Sequence, residues 1–440
     1  MIPDIAAIIL FLLLIFKLEA KDFPYASIVF ILLYILYIYS GTIMMNYDEY
    51  IPKDKNFQNL QFIVRGGFVS IIIAYILSYM SFRRVSIKNK EYINLNNSKK
   101  YAFYFMSIIV IFISLLYLKL IPMNPLIMML KDPSSMGLAR EQATTTFRNF
   151  GFFNNFISFF LPLVWLTLLF MNKNIYKIIL LFNFIVLMST GQKSPIIYLL
   201  FLLVISLSLR SKRFEYKKNI LLIVVAVLVL LMLVVAQNWH ILNGMSLESL
   251  ELAWIGLKKR IFYGGVYPLK YYLEFFPDYM AHYYFNPPSV VPSKLVYEFV
   301  FPNTGIVGTL NTISLANIYA AFGNFYIVFI AFFSLIFSYF MLDKLIFNNM
   351  KTPLEFSFYT VYSLVAIQLV ITDWYSVIPK FLVLSLSFLG SVYLIESFLF
   401  YFASKKKRFL IYTNNKIIGI LSIVIFLYFI QGQIRGLLHG

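Results

Sequence analysis

Cysteine is absent from the 440 residues, so neither a disulfide framework nor thiolate chemistry is open to the chain, and thiol usage says nothing about its compartment. Charge is scarce too. Asp, Glu, Lys and Arg together make 13% of the residues, about half the share of a soluble domain. Histidine occurs only at 240, 282 and 439, with no pair at metal-ligand spacing, which argues against a zinc site built by the protein. No apolar run alternates with period two, which excludes a barrel of strands. Gly191-Gln192-Lys193-Ser194 keeps the last two letters of a phosphate-binding loop, but it lacks the earlier glycine and a preceding strand, so ATP hydrolysis is not supported. With no soluble nucleotide domain in view, a pump or a nucleotide-sugar transferase fits poorly. A substrate that arrives already activated, on a lipid, fits better.

What the chain does hold is apolar surface. Hydrophobic residues reach 61% and mean hydropathy is +0.80, too little polar surface to coat a water-soluble core of this size. The expected fold class is all-α: a polytopic transmembrane helix bundle in one membrane-embedded domain over 1–440, of about twelve helices. The expected spans are 3–17, 25–46, 60–82, 101–121, 152–172, 176–190, 195–209, 219–236, 324–342, 354–371, 378–402 and 416–432. Met1 to Phe16 carries no positive leader and no small-residue cleavage site, so a removed signal peptide is not expected.

The formal net charge of +18 reads as basic loops held at the cytoplasmic face, not as nucleic-acid binding. Arg83, Arg84, Lys88, Lys90, Lys99 and Lys100 form one such loop. Arg210 to Lys218 and Lys405 to Arg408 form the others. The remaining connections then lie outside, and two of them, 122–151 and 237–323, far exceed the about two to eight residues usual between helices. The second is crowded with rings, among them Trp254, Phe262, Tyr263, Tyr267, Tyr271 and Tyr272. Leu247, Leu250, Trp254, Leu257 and Ile261 predict an amphipathic helix that Gly264-Gly265 and Pro268 end. It either lies at the membrane interface or offers ring faces to sugars.

Fixed cations punctuate the outer connections: Arg140, Arg148, Lys193, Lys258, Lys259 and Arg260. Guanidinium forks suit phosphate oxygens, although each such residue can also snorkel to lipid headgroups. Arg65 and Glu396 fall inside predicted spans and should face a cavity, the bundle, a partner or one another. Gly66 and Gly67 beside Arg65 would leave a helix face open to a lipid phosphate.

The segment from Arg140 to Gly151, with ten residues between Arg and Gly, resembles the motif of the O-antigen polymerases, which join oligosaccharide repeat units into bacterial surface polysaccharide. Thr190-Gly191-Gln192-Lys193-Ser194 is similar to the threonine-glycine-serine-arginine turn of that family and of the related O-antigen ligases, with Lys193 in place of Arg. Thr309 to Gly323, closing in Phe322-Gly323, resembles the family's small-polar stretch, and the long second-half loop matches as well. The likeness covers about 100 to 345. It departs where Tyr271 follows Arg260 at the usual second Arg-to-Gly spacing, and where Thr312 and Ile313 stand in place of the ligases' His-Asn pair, which favours polymerase over ligase.

The resemblance implies a substrate of oligosaccharide on undecaprenyl pyrophosphate, handled at the external or periplasmic face of the bacterial inner membrane, with no metal and no other cofactor. Membrane lipids and a chain-length regulator would be the partners, and nucleic acid would not. It implies that Arg140, Lys193 and Arg260 stabilise the leaving pyrophosphate, and that Arg148, Gly151, Lys259, Tyr263, Tyr267, His282 and Arg65 bind substrate. A general base is sought among Asp278, Glu274, Glu141, His240 and His282, with Asp278 taken first; the other reading of Asp278 is a turn residue after Pro277. A ligase, another polyprenyl-linked glycosyltransferase (with Asp48-Glu49 as its carboxylates) and a lipid-linked oligosaccharide flippase are the alternatives.

Overall fold

A computed structural model describes residues 2–15, 26–48, 53–81, 85, 93–132, 135, 138–143, 156–191, 194–212, 228, 251–252, 254–256, 263–284, 292–302, 310, 313–371, 388 and 390–396. Among these the chain is all helical, with no strand. The helices in chain order begin with α1 (Ile2–Ile15), α2 (Ala26–Tyr47), α3 (Lys55–Ser81), α4 (Asn97–Leu120) and α5 (Pro125–Lys131). They continue with α6 (Phe156–Phe170), α7 (Tyr176–Met188), α8 (Ser194–Ser211), α9 (Val266–Phe275) and α10 (Pro292–Val300). The last are α11 (Ser314–Phe322), α12 (Phe325–Asn349), α13 (Pro353–Tyr362) and α14 (Leu364–Ile371).

Five segments are long and apolar enough to cross a membrane: α2, α3, α4, α12 and Pro353–Val370, the run that holds α13 and most of α14. Helices α6, α7 and α8 are apolar and shorter. Of the twelve expected spans, 219–236 and 416–432 lie outside the described residues apart from Leu228, and 378–402 is described only at 388 and 390–396. The long connections are not bare loops where they are described. The first holds α5 and a helical turn at 138–143, and the second holds α9, α10 and α11. Pro268, expected to end a helix, sits in the first turn of α9, where a missing N–H costs nothing.

The surface pattern identifies the solvent these helices suit. Ile108 and Phe112 on α4 are 67% and 65% exposed, and Ile330 on α12 is 66% exposed. Apolar residues outside as well as inside are the mark of helices built for hydrocarbon. Between such helices there is no hydrophobic driving force, so association rests on close packing and on polar groups that find partners.

The residues group into two compact units. The first comprises Met1–Asn89, Trp254–Asn349 and Ser363–Ile378. Its core is α3 packed on α12. Ile63, Val64, Gly67, Ile71, Ala74 and Ser78 face one way on α3, and Val328, Phe332, Ile336, Phe340 and Phe347 line the buried stripe of α12. Glycines set the approach: a Cβ on Gly66 would fall 2.2 Å from Phe329 Cζ, and one on Gly67 would fall 2.5 Å from the Tyr34 hydroxyl. Tyr34 in turn donates to the Val64 carbonyl at 2.8 Å. The two glycines therefore do not leave a face open to lipid phosphate, because protein rings fill it.

Two buried charges on α12 hold this unit's helix ends. Asp343 Oδ2 accepts from Ser27 N–H at 3.1 Å, in the first turn of α2, where an anion satisfies an orphan donor and faces the positive end of the helix dipole. Its neighbour Lys344 donates to the Ser78 carbonyl at 2.8 Å, near the end of α3, where a cation does the converse. Neither residue stood out in the sequence, yet both are buried completely or nearly so.

The second unit comprises Lys90–Ala253, Met350–Tyr362 and Pro379–Gly440. Helix α6 is its centre, with Leu161 to Phe170 all buried, and α4, α7 and α13 pack against it. Thr167 donates to Ser357 Oγ at 2.9 Å, joining α6 to α13 inside that packing. Asn96 caps α4 by accepting from Lys99 N–H at 2.8 Å. Glu396 accepts from Asn96 Nδ2 at 3.0 Å, with Lys99 Nζ at 4.0 Å. The carboxylate expected within a span thus stands at a helix N-terminus, where the dipole favours it.

Candidate functional site

In the second unit the Arg140 turn meets the Thr190-Gly191 turn. Helix α7 closes with Ser189 and Thr190 donating their hydroxyls back to the Ile185 and Leu187 carbonyls, at 2.9 and 2.7 Å. Gly191 follows with φ of +64°, the left-handed conformation that terminates helices and that only glycine adopts at no cost. A Cβ on Gly191 would lie 3.0 Å from Arg140 Cγ, 3.1 Å from Arg140 Cβ and 3.2 Å from Pro125 Cγ. The stem of Arg140 therefore rests on the glycine, and Arg140 as a whole is exposed. Pro125 is placed there because Asn124 caps α5, accepting from Leu126 N–H at 3.0 Å. Lys193, Arg148 and Gly151 lie outside the described residues.

In the first unit, α9 and the turn before it carry a ladder of phenols. Tyr263 and Tyr267 meet edge to face with centroids 5.7 Å apart, and Tyr267 and Tyr271 stack at 6.2 Å. All three are half-buried, each leaving part of its ring to the surroundings. Tyr263 Oη reaches Asp48 Oδ2 at 3.5 Å. Burial, then the Asp48 carboxylate, raises the Tyr263 phenol above its ordinary value. Burial and Asp48 act likewise on Tyr267, with Tyr271 and Tyr263 adding to them. Both hydroxyls consequently remain donors in neutral solution.

Behind the ladder, buried Lys270 stands between Glu274 at 3.1 Å and Asp54 at 3.7 Å. Asp54 also caps α3, accepting from Phe57 N–H at 2.8 Å. This triad fixes α9 to the start of α3. The four-residue Lys270–Glu274 spacing was legible in the sequence; Asp54, far away in the chain, was not. Glu274, one of the carboxylates considered as a general base, is thus ion-paired with Lys270.

His282 and Asp278 lie at the other end of α9. The His282 ring stacks on Phe276 at 6.0 Å and meets Tyr319 edge on at 5.4 Å. Its Nδ1 is 3.2 Å from the Ala320 carbonyl, which can only accept, so Nδ1 carries the proton. The other side of the ring fills the space beside Gly323, where a Cβ would fall 2.2 Å from Nε2. Tyr284 N–H donates to Ala321 O at 2.7 Å, and Tyr283 Oη donates to Asn317 O at 3.2 Å. Residues 282–284 thus cap the end of α11, and Phe322-Gly323 closes beneath them. Asp278 is exposed in the turn after Pro277, and its charge adds to burial in raising the Tyr319 phenol.

Arg65 is exposed on α3 and lines a groove against the end of α2. Lys259 and Arg260 lie outside the described residues, as does His240. Trp254 and Ile255 are helical and exposed. Among the described residues no three His, Asp or Glu converge as metal ligands. No protein-family model, curated protein or solved structure matches the chain.

Proposed function

We propose that the chain polymerises oligosaccharide repeat units carried on undecaprenyl pyrophosphate, at the outer face of a bacterial plasma membrane. The observation that carries this reading is the seating of Arg140 on Gly191. Two segments that resemble polymerase motifs, separated in sequence by α6 and α7, are neighbours in space, at a distance that a side chain on Gly191 would crowd.

In the reaction, the anomeric carbon of the donor glycan loses its bond to the pyrophosphate oxygen and gains one to a hydroxyl oxygen of the acceptor glycan. The acceptor's proton passes to a carboxylate, for which Asp278 is the choice because it is exposed in the turn after Pro277. Undecaprenyl pyrophosphate leaves with the bonding electrons. Arg140, with Lys193 and Arg260, offsets the charge that builds on the leaving oxygens, and fixed cations do this without reorganising. The phenol ladder offers flat apolar faces to sugar CH groups and hydroxyl donors to their oxygens.

The test is polymerisation by purified protein of a lipid-linked single repeat, read as a ladder on a gel. Arg140→Ala is expected to lower the rate by about 100-fold or more, the usual cost of losing one donor to a developing oxyanion. Arg140→Lys should recover little, since an ammonium cannot form the fork. A full ladder from Arg140→Ala would remove the residue from the site. Transfer of finished chains to a lipid core without any ladder would identify a ligase.

A further inference from the structure

Arg65, which the resemblance counts among the substrate-binding residues, lines a groove of the first unit with features of its own. The groove between α2 and α3 has a polar wall of Arg65, Gln61, Asn46, Thr42, Tyr39 and Tyr47 over an apolar floor of Ile43 and Val64. Its volume is about 380 Å³ counted to its open mouth. Gln61 Nε2 donates to Asn46 Oδ1 at 3.2 Å across the groove, which fixes both amides. That bond orients the Asn46 amino group as a donor and the Gln61 carbonyl as an acceptor. Thr42 donates to the Ile38 carbonyl at 3.0 Å, which leaves its oxygen able to accept.

Depth and the surface below the groove point to a lipid. Asn56, Gln58, Asn59 and Gln61 make the start of α3 polar, and the apolar stretch begins at Phe62. Arg65 therefore lies one turn inside the apolar boundary, the depth of phospholipid headgroups and upper acyl carbons. Directly beneath it on the same helix face, Val69, Ile73, Leu77 and Met80 are all exposed. From Val69 to Met80 this apolar track runs about 16.5 Å at 1.5 Å per residue, in steps of four residues and a last step of three. A single hydrocarbon leaflet is about 15 Å deep, so the track can carry an acyl chain.

Charge selects the headgroup. The groove holds one guanidinium and no carboxylate among its lining residues. One cation matches a phosphodiester of single negative charge and falls short of a pyrophosphate, while an ammonium headgroup has no carboxylate among these lining residues. We propose that this groove binds an anionic phospholipid with a hydroxylated headgroup, of the phosphatidylglycerol type. The phosphodiester oxygens lie on Arg65 and Asn46, the headgroup hydroxyls on Gln61 and Thr42, and an acyl chain along Val69 to Met80. The proposal needs only that α2 and α3 stand in a bilayer. It is independent of the polymerase reading.

The experiment is native mass spectrometry of the full-length protein in detergent, supplied in turn with phosphatidylglycerol, phosphatidylcholine, phosphatidylethanolamine, undecaprenyl pyrophosphate and inorganic phosphate. Wild type is expected to retain one phosphatidylglycerol with about tenfold or greater preference over the two zwitterionic lipids, the scale of one charge-assisted hydrogen bond. Arg65→Gln should abolish the preference and Arg65→Lys should keep part of it. Asn46→Leu, with the guanidinium intact, should weaken retention and so serves if Arg65→Gln fails to fold. Equal retention of all phospholipids would overturn the proposal. So would displacement of phosphatidylglycerol by inorganic phosphate, which would make this a free-anion site, or by equimolar undecaprenyl pyrophosphate, which would make it a substrate site.

Discussion

Replacing Gly191 by alanine tests whether the Arg140 contact matters to the reaction. At φ of +64° an alanine pays the left-handed penalty of about 1–2 kcal/mol. Its Cβ would also stand 3.0–3.2 Å from Arg140 Cγ, Arg140 Cβ and Pro125 Cγ, so those neighbours must yield by a few tenths of an ångström. Pro125 is held by its ring and by the Asn124 cap, so the movement falls on the flexible stem of Arg140. A shift at Cβ and Cγ grows along the side chain to about 1 Å at the guanidinium, a misplacement worth about 100-fold in rate. Purified variants would be assayed for polymerisation and for thermal unfolding in the same detergent. Gly191→Ala should lose about 100-fold in rate and little in stability beyond the left-handed penalty. Gly191→Asn brings the same Cβ into the same space, but asparagine tolerates the backbone. If crowding of Arg140 is the cause, Asn and Ala lose activity alike. Full activity in Gly191→Ala would refute the argument.

Three further outcomes follow from the packing and the charges. Gly66→Ala drives a Cβ into the Phe329 ring and should cost about 1–3 kcal/mol of stability, with Phe329→Leu restoring much of it; thermal unfolding of the single and double variants checks this. Asp343→Leu removes the acceptor for Ser27 N–H and should destabilise by about 1–2 kcal/mol, whereas Asp343→Asn keeps an acceptor and should cost less; the comparison uses the same unfolding assay. The Tyr263 and Tyr267 phenols should titrate above about 10, the ordinary tyrosine value, when followed by phenolate absorbance. Because the folded protein holds these protons more tightly than the unfolded chain, the stability they contribute is complete below about pH 10 and disappears as pH rises through the folded values. Asp48→Asn should bring Tyr263 only part of the way down, since burial is the larger cause.

The residues differ in how far their place could be read from the chain. The composition alone marks a helical, hydrocarbon-facing protein, and the boundaries of α2, α3 and α4 lie within five residues of the apolar runs that predict them, while α12 starts where expected and runs seven residues past 342. Helix period and polarity are carried by neighbours in sequence, and so are short-range devices such as the Asn96 cap and the Lys270–Glu274 pair. The Thr190-Gly191 turn and the Arg140 segment were each legible as motifs for the same reason. That one rests on the other was not, because it depends on how α5 and α7 bring their ends together.

The tertiary structure decided where side chains of distant segments meet. Gly66 and Gly67 look like an open face until Phe329 and Tyr34 are found filling it. Asp343 and Lys344 drew no notice in the sequence, and only the packing shows their partners near the start of α2 and the end of α3. Tyr263 gains its carboxylate from Asp48, and Lys270 its second one from Asp54, both more than two hundred residues away in the chain. Apolar periodicity states which face of a helix is buried, but many helices present equally apolar faces. Which of them pair is settled by the fit of rings into glycine gaps and by the helix ends that buried charges must reach, and these are properties of the assembled packing.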